Sequence, residues 1–299
     1  MKAKKFLLIL ILLSAAALPS VHAQDVDVGL YVLNLGKFDV ATGSFTADFY
    51  ISFKCKRICN VDDFEFMNGK AASIDKKEDS PKEKFYRVQA NLNSQVDLKR
   101  FPFDSQKMQI IIEDKKNTID KIKYIPLKDE SGIDSSIAFT GWNIEGWNSE
   151  SKEHYYKVYN ETYSQSVFSI DISRIALNSF MKTFLPVIFI VLIVVSTFVL
   201  DPDKITTRMT VASSSLIAAV MFHISISNQI PPVGYLTFAD KFMVMTYFIL
   251  LASFIINIIL LELQELKKME LVEKVHRSTE YSMFAVVPVL YIILFVFFV

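Results

Sequence analysis

Beyond the first 23 residues, the pattern of hydrophobic and polar positions changes character once along this chain, at Arg174. Up to that arginine, short runs with a two-residue period are broken by turn-forming residues, at 28–35, 45–53, 85–92, 108–112, 119–125, 142–147 and 167–172. A period of two puts alternate side chains on opposite faces of a strand, so many such runs predict an all-β sandwich. The polar breaks at 76–84 and 128–136 read as solvated loops. After Arg174 the alternation gives way to long apolar spans at about 180–200, 205–228, 240–261 and 280–299. Each is close to the ~20 residues that a helix needs to cross the hydrocarbon core of a bilayer. The predicted fold is therefore β followed by transmembrane α, with a sandwich over 24–178 and a four-helix membrane bundle over 179–299. Pro186 inside the first span predicts a kink there.

The second span differs from the other three. At ~100° per residue, Thr206, Thr210, Ser214, Ile217, Met221, Ile224 and Asn228 fall within an arc of about 80°. That face reads polar, then apolar, then polar. Lipid penalises such a stripe unless it faces protein or water. If several copies surround an axis, the face becomes rings of hydroxyls below an apolar constriction of Ile217, Met221 and Ile224, which can close by dewetting. A helix packed through Ser and Thr contacts inside an inert bundle would carry the same stripe. Arg208 lies about 160° from Thr210 on this wheel, so it faces protein or headgroups and forms no pore ring.

Composition agrees with a divided chain. A hydrophobic content of 52% and mean hydropathy of +0.31 are too apolar for an ordinary soluble domain, and 21% charged residues are too many for membrane throughout. Lys plus Arg and Asp plus Glu both number 32, so no basic excess points to nucleic acid. Lys2, Lys4 and Lys5, the apolar run 6–18 and Ala23 describe a secretory signal over 1–23, with an uncleaved anchor as the alternative. An exported N-terminus and four crossings place the links 201–204 and 262–277 in the cytoplasm. Lys267, Lys268, Lys274 and Arg277 in the second link agree with positive-inside, so the expectation is a multi-pass protein of the inner (plasma) membrane with its N-terminal domain outside.

Chemistry of the enzymatic kind is not visible. No Ser/His/Asp order, glycine-rich phosphate loop or metal motif occurs, so a membrane-anchored enzyme is disfavoured and neither cofactor nor metal is expected. Cys55 and Cys59 are the only cysteines and form either a small disulfide or two free thiols.

The run Arg100, Phe101, Pro102, Phe103, Asp104, Ser105, Gln106 resembles the signature loop of pentameric ligand-gated ion channels, the Cys-loop receptor superfamily. Ser94 and Met108 stand where animal members carry the flanking cysteines, which bacterial members lack. The resemblance continues through Phe139, Thr140, Gly141, Trp142, Asn143, Ile144 and Glu145, then Arg174, Pro186, and Ile230, Pro231, Pro232 with Tyr235. It implies a homopentamer in the lipid bilayer, with an extracellular immunoglobulin-like sandwich of ten strands per subunit and the second helix of each bundle lining a pore for ions.

The resemblance also implies roles for particular residues. Asp104 and Arg174 would share an electrostatic cluster at the seam between domains, with Asp39 as the nominee from the first hairpin loop. Arg174 marking the membrane boundary by snorkelling is the plainer alternative. Phe101, Pro102 and Phe103 would press on the link 230–237, stiffened by Pro231 and Pro232. An agonist, small-molecule or ionic, would sit beneath the hairpin carrying Tyr155, Tyr156, Tyr159 and Tyr163, with Phe64 and Phe66 in the first ligand loop. Those tyrosines read either as an aromatic cage for a cation or as strand residues packing a sheet edge. The segment 113–118 lacks the aromatic residue of amine-binding relatives, and 53–64 is shortened; both weaken a choline-like agonist and leave protons or a divalent ion open. Trp142 and Trp147 read as core. Thr206 and Thr207 before Arg208 match neither the glutamate of cation-selective members nor the Pro and Ala of anion-selective ones. Asp203 would either face the pore mouth or cap the helix. Cation selectivity is expected, with an anion channel or a non-conducting sensor as alternatives.

Overall fold

The computed structural model describes residues 23–61 and 63–298, so the expected signal, apart from Ala23, lies outside the described residues. Ten strands come first: β1 Gln24–Leu35, β2 Ser44–Cys55, β3 Phe64–Phe66, β4 Gly69–Asp79, β5 Glu83–Asn93, β6 Ser105–Asp114, β7 Ile122–Pro126, β8 Gly132–Ile133, β9 Trp142–Tyr156 and β10 Glu161–Arg174. One sheet has the order β4-β5-β2-β1-β7, with β8 also on β1, and the other β3-β6-β10-β9. Alternation dictates what fills the space between them: Phe45, Phe49, Ile51 and Phe53 from β2 meet Met108, Ile110 and Ile112 from β6 and Phe168, Ile170 and Ile172 from β10.

Each predicted strand run falls within or overlaps one of these strands, 119–121 forming the turn that leads into β7, but β3, β4 and β8 were not foreseen. Residues 76–79, read as loop, continue β4. Its residues are exposed on both faces, so no alternation marks it, and pairs such as Lys76–Asp79 (2.8 Å) put charge on an open sheet edge. Cys55 and Cys59 are joined in a disulfide beside the sandwich core.

The helices follow as α1 Ala176–Thr183, α2 Leu185–Ser196, α3 Ile205–Ser227, α4 Phe238–Glu265 and α5 Met269–Phe298. The last three are long and apolar enough to cross a membrane, and α1 with α2 makes a fourth span if the bent pair is one crossing. The bend is 43°, where Pro186 has no N–H for the carbonyl of Lys182. Two expectations change. The link 262–277 is mostly helix, since α4 runs to Glu265 and α5 begins at Met269, beyond the reach of an apolar window because the end turns are charged. Asp203 does not cap α3; it lies in a short 3-10 turn, 3.0 Å from Lys204, and Lys204 holds the cap position.

At the start of α4, Thr237 and Asp240 form a reciprocal capping box: the Asp240 carboxylate accepts the Thr237 N–H at 2.8 Å and the Thr237 hydroxyl accepts the Asp240 N–H at 3.2 Å. Thr237→Ala is expected to cost about 1 kcal/mol. Thermal melting of the detergent-solubilised protein checks it, with Thr237→Ser restoring the wild-type midpoint.

Candidate functional site

The loop between β5 and β6 enters the helical bundle. Leu98 and Phe101 are buried in one cluster with Phe184, Val187, Phe238, Phe242 and Leu294. Phe103 stacks on Phe184 at 5.5 Å and lies 5.9 Å from Phe238. Backbone bonds fasten the loop as well. The N–H groups of Phe238 and Ala239, in the first turn of α4 and without helical partners, donate to the carbonyls of Lys99 (2.9 Å) and Phe101 (3.0 Å). The Tyr235 hydroxyl accepts the Leu98 N–H at 2.9 Å. Pro231 is half-buried and Pro232 exposed, so the sandwich grips the link through Tyr235 and the α4 terminus.

Above this loop Asp104 is 1% exposed. Arg174 donates to it in a fork, Nε to Oδ1 at 2.8 Å and Nη2 to Oδ2 at 3.2 Å, and Gln106 Nε2 adds a bond of 2.8 Å. The guanidinium lies over the rings of Trp142 (4.4 Å) and Phe101 (5.2 Å). Arg174 therefore pairs with a buried carboxylate while itself partly exposed, which snorkelling alone would not give. Asp39 is not brought to it. Its carboxylate accepts from the Ala41 N–H and the Thr42 hydroxyl, both at 2.9 Å, and these bonds hold its pKa below the usual range. An Asx-type turn in its own hairpin wins because its partners are two and three residues away.

On α3 the stripe Thr206, Thr210, Ser214, Ile217, Met221, Ile224 and Asn228 is exposed along its length, while Ile205, Arg208, Ala212, Ser215, Ala219 and Ile226 are buried on the other side. Arg208 donates to the Leu200 carbonyl and approaches His276 Nδ1 at 3.4 Å. His223, unremarked in the sequence, lies 3.1 Å from Asp240 and 2.9 Å from the Tyr247 hydroxyl, tying α3 to α4.

At the far end of the sandwich the β9–β10 hairpin carries the four tyrosines. Tyr156 meets Tyr163 edge-on at 5.5 Å and Tyr159 at 6.4 Å, whereas Tyr155 bonds Asn160 at the exposed tip. Phe64 and Phe66 are not ligand-loop residues: both are buried in β3, their rings 5.1 Å from Phe53 and 5.7 Å from Phe49, and the two-residue period leaves Glu65 outward. What the sequence did not reveal is Glu113. Its side chain is 3% exposed and accepts from Tyr156 Oη (2.9 Å) and Gln165 Nε2 (2.7 Å), and His154 Nδ1 lies 2.9 Å from it. Burial and the bond to Glu113 push the Tyr156 phenol up to about 12. Among the described residues no group of three His, Cys, Asp or Glu side chains is placed to hold a metal ion.

No protein-family model matches this chain. The proton-gated ion channel of Gloeobacter violaceus is 26% identical to it over 162 residues, which are 54% of this chain and 44% of that relative. The chain thus spans less than half the length of the curated relative it matches.

Proposed function

We propose, from the pentameric ligand-gated ion channel superfamily that the relative and the order of sandwich then membrane helices support for this chain, that it forms a homopentameric, cation-selective channel. Five copies surround an axis with α3 inward, and an agonist acting on the sandwich opens the pore. The observation that carries this reading is the bare stripe of α3. The rest of the protomer covers the opposite side of that helix and leaves hydroxyls and large apolar side chains, Ile217, Met221 and Ile224 among them, uncovered. Lipid is a poor solvent for the hydroxyls, and a closed ring gives them water. The three apolar residues then form a dry gate.

Transmission runs through the seam. The 98–103 loop holds the start of α4 by two backbone bonds, α4 holds α3 through His223, and the Asp104–Arg174 pair fixes the loop to the last strand before the membrane. Cation preference rests on Asp203, exposed at the foot of α3, against helix N-termini that favour anions.

The test is current through purified protein in planar bilayers, with external acid as the first stimulus because the relative is named as proton-gated. Under a NaCl gradient the current should reverse near the sodium equilibrium potential. Reversal at the chloride potential would make it an anion channel, and an intact pentamer that never conducts would make it a sensor.

A further inference from the structure

We infer that the membrane bundle binds an ordered water molecule at the foot of α3, held between the Arg208 guanidinium and the Asn257 side-chain carbonyl, with the Ser253 hydroxyl as its third partner. All three residues are fully buried, and Arg208 Nε, Asn257 Oδ1 and Ser253 Oγ have no hydrogen-bond partner in the protein. Such atoms are rare in a folded chain and call for an explanation. Among the described residues there are five, so three of the five belong to this one part of the bundle.

Helix register brings them to one level. His223 on α3 meets Asp240 and Tyr247 on α4, and Arg208 lies about 22 Å further down α3 at ~1.5 Å per residue. An equal step along antiparallel α4 runs from 240–247 to 255–262, which includes Asn257. Ile205 and Leu260 share a buried cluster at the same end. Between α4 and α5 the hydroxyls of Thr246 and Tyr291 are 2.8 Å apart, and that register sets Asn257 beside Glu280, one turn from His276. His276 Nδ1 in turn lies 3.4 Å from Arg208. Separate contacts thus close on a single layer of Arg208, Asn257 and His276. One turn above it Ala212 and Ser253, both small and buried, leave space beside the longer side chains.

The donor set says what fits there. Arg208 offers an N–H, since a guanidinium only donates, and Asn257 offers a carbonyl oxygen. The Asn257 amide cannot be turned the other way, because its Nδ2 donates at 2.9 Å to the Ser253 carbonyl, which only accepts. A water accepts from the first group and donates to the second. An anion is the rival occupant. Among the described residues no carboxylate pairs with Arg208, which donates to the Leu200 carbonyl and lies 5.7 Å from the Phe198 ring. Chloride would supply the missing charge, but it would face the lone pairs of Asn257 Oδ1 and leave that oxygen worse off.

The bridge bears on the links at the foot of the bundle. Inside a membrane a polar group cannot turn to bulk solvent, so Arg208 Nε has to be satisfied from within. With Nε held, Nη2 reaches the Leu200 carbonyl, while Gln264 Nε2 on α4 donates to the Pro202 carbonyl at 2.6 Å. Asn257 and Ser253 are therefore positioning residues for Arg208, and through it for the link that carries Asp203. In the channel reading that link lies at the pore's mouth, but the water itself does not depend on the pentamer.

The experiment is a pair of crystal structures of the full-length wild type, one grown in chloride and one in bromide, at a resolution that shows ordered solvent elsewhere in the molecule. A density peak within about 2.7–3.2 Å of both Arg208 Nε and Asn257 Oδ1, without anomalous signal in bromide, is expected. Direct contact between the two side chains, the lack of a peak, or a bromide signal at that position overturns the inference. Variants read the same bridge in solution. Asn257→Leu, close in volume and unable to hydrogen-bond, should lower the apparent melting temperature of the solubilised protein by at least about 2 °C. The loss should be smaller once Arg208→Met has removed the donor, and equal losses in both backgrounds overturn the inference. Should Arg208→Met fail to assemble, the wild-type crystals decide.

Discussion

Arg174→Gln should cost about 3–5 kcal/mol, the penalty for stranding a buried charge, and Asp104→Asn less, because the Arg174 it leaves is 21% exposed; either should prevent assembly or uncouple gating. The geometry argues for the upper part of the usual ion-pair range. Asp104 is 1% exposed, its partner binds both oxygens in a fork, and Gln106 takes a further bond to the carboxylate. Arg174 in turn is held between two aromatic faces, which a neutral amide cannot exploit. Arg174→Lys should fall between wild type and Arg174→Gln, because it keeps the charge and loses the fork. Thermal melting together with surface expression measures the first outcome. In the double variant Asp104→Asn/Arg174→Gln the loss should be smaller than the sum of the single losses, since neither charge is stranded. Single variants that reach the surface and gate normally would remove the pair from the coupling path.

How much of this was legible depended on how local the signal was. The longer strands of the sandwich announce themselves because one face of each is dry, whereas β4 is wet on both faces and β3 and β8, of three and two residues, are too short to show a period. The stripe on α3 was readable from a helical wheel because its members recur within a turn of one another. Asp104 and Arg174 are 70 residues apart, and only the resemblance of the Arg100–Gln106 run suggested that they meet. Glu113, His154 and Gln165 come from three strands, and nothing in the local pattern of any one of them marks the meeting point. Asp39 failed for the opposite reason, since a partner two residues away outcompetes one across the molecule. The bonds from Phe238 and Ala239 to the loop carbonyls are made by backbone groups that every residue possesses, and so leave no trace in side-chain identity.

Ile217→Ser is expected to raise the resting leak by at least about tenfold, which needs a shift of only about 1.4 kcal/mol in the balance between dry and wetted gate. Ile217 is 66% exposed on the protomer, and Met221 and Ile224, one and two turns further, are also uncovered, so in a ring all three would meet their own copies. A closed apolar constriction is stable because water gains too few hydrogen bonds inside it. One serine per subunit supplies a donor and acceptors at five points of the ring simultaneously, and removes apolar surface at each, so modest local changes add where they share one lumen. Ile217→Leu keeps the surface and should leave the leak near wild type. Cysteines placed at 217 and 221 should react with a water-borne thiol reagent in the leaking state, while a cysteine at Ala212 or Ala219, buried on the opposite side, should not. A closed-state leak unchanged by Ile217→Ser would put the gate elsewhere, and reagent reaching 212 and 219 in place of 217 and 221 would put the wrong side of α3 on the axis.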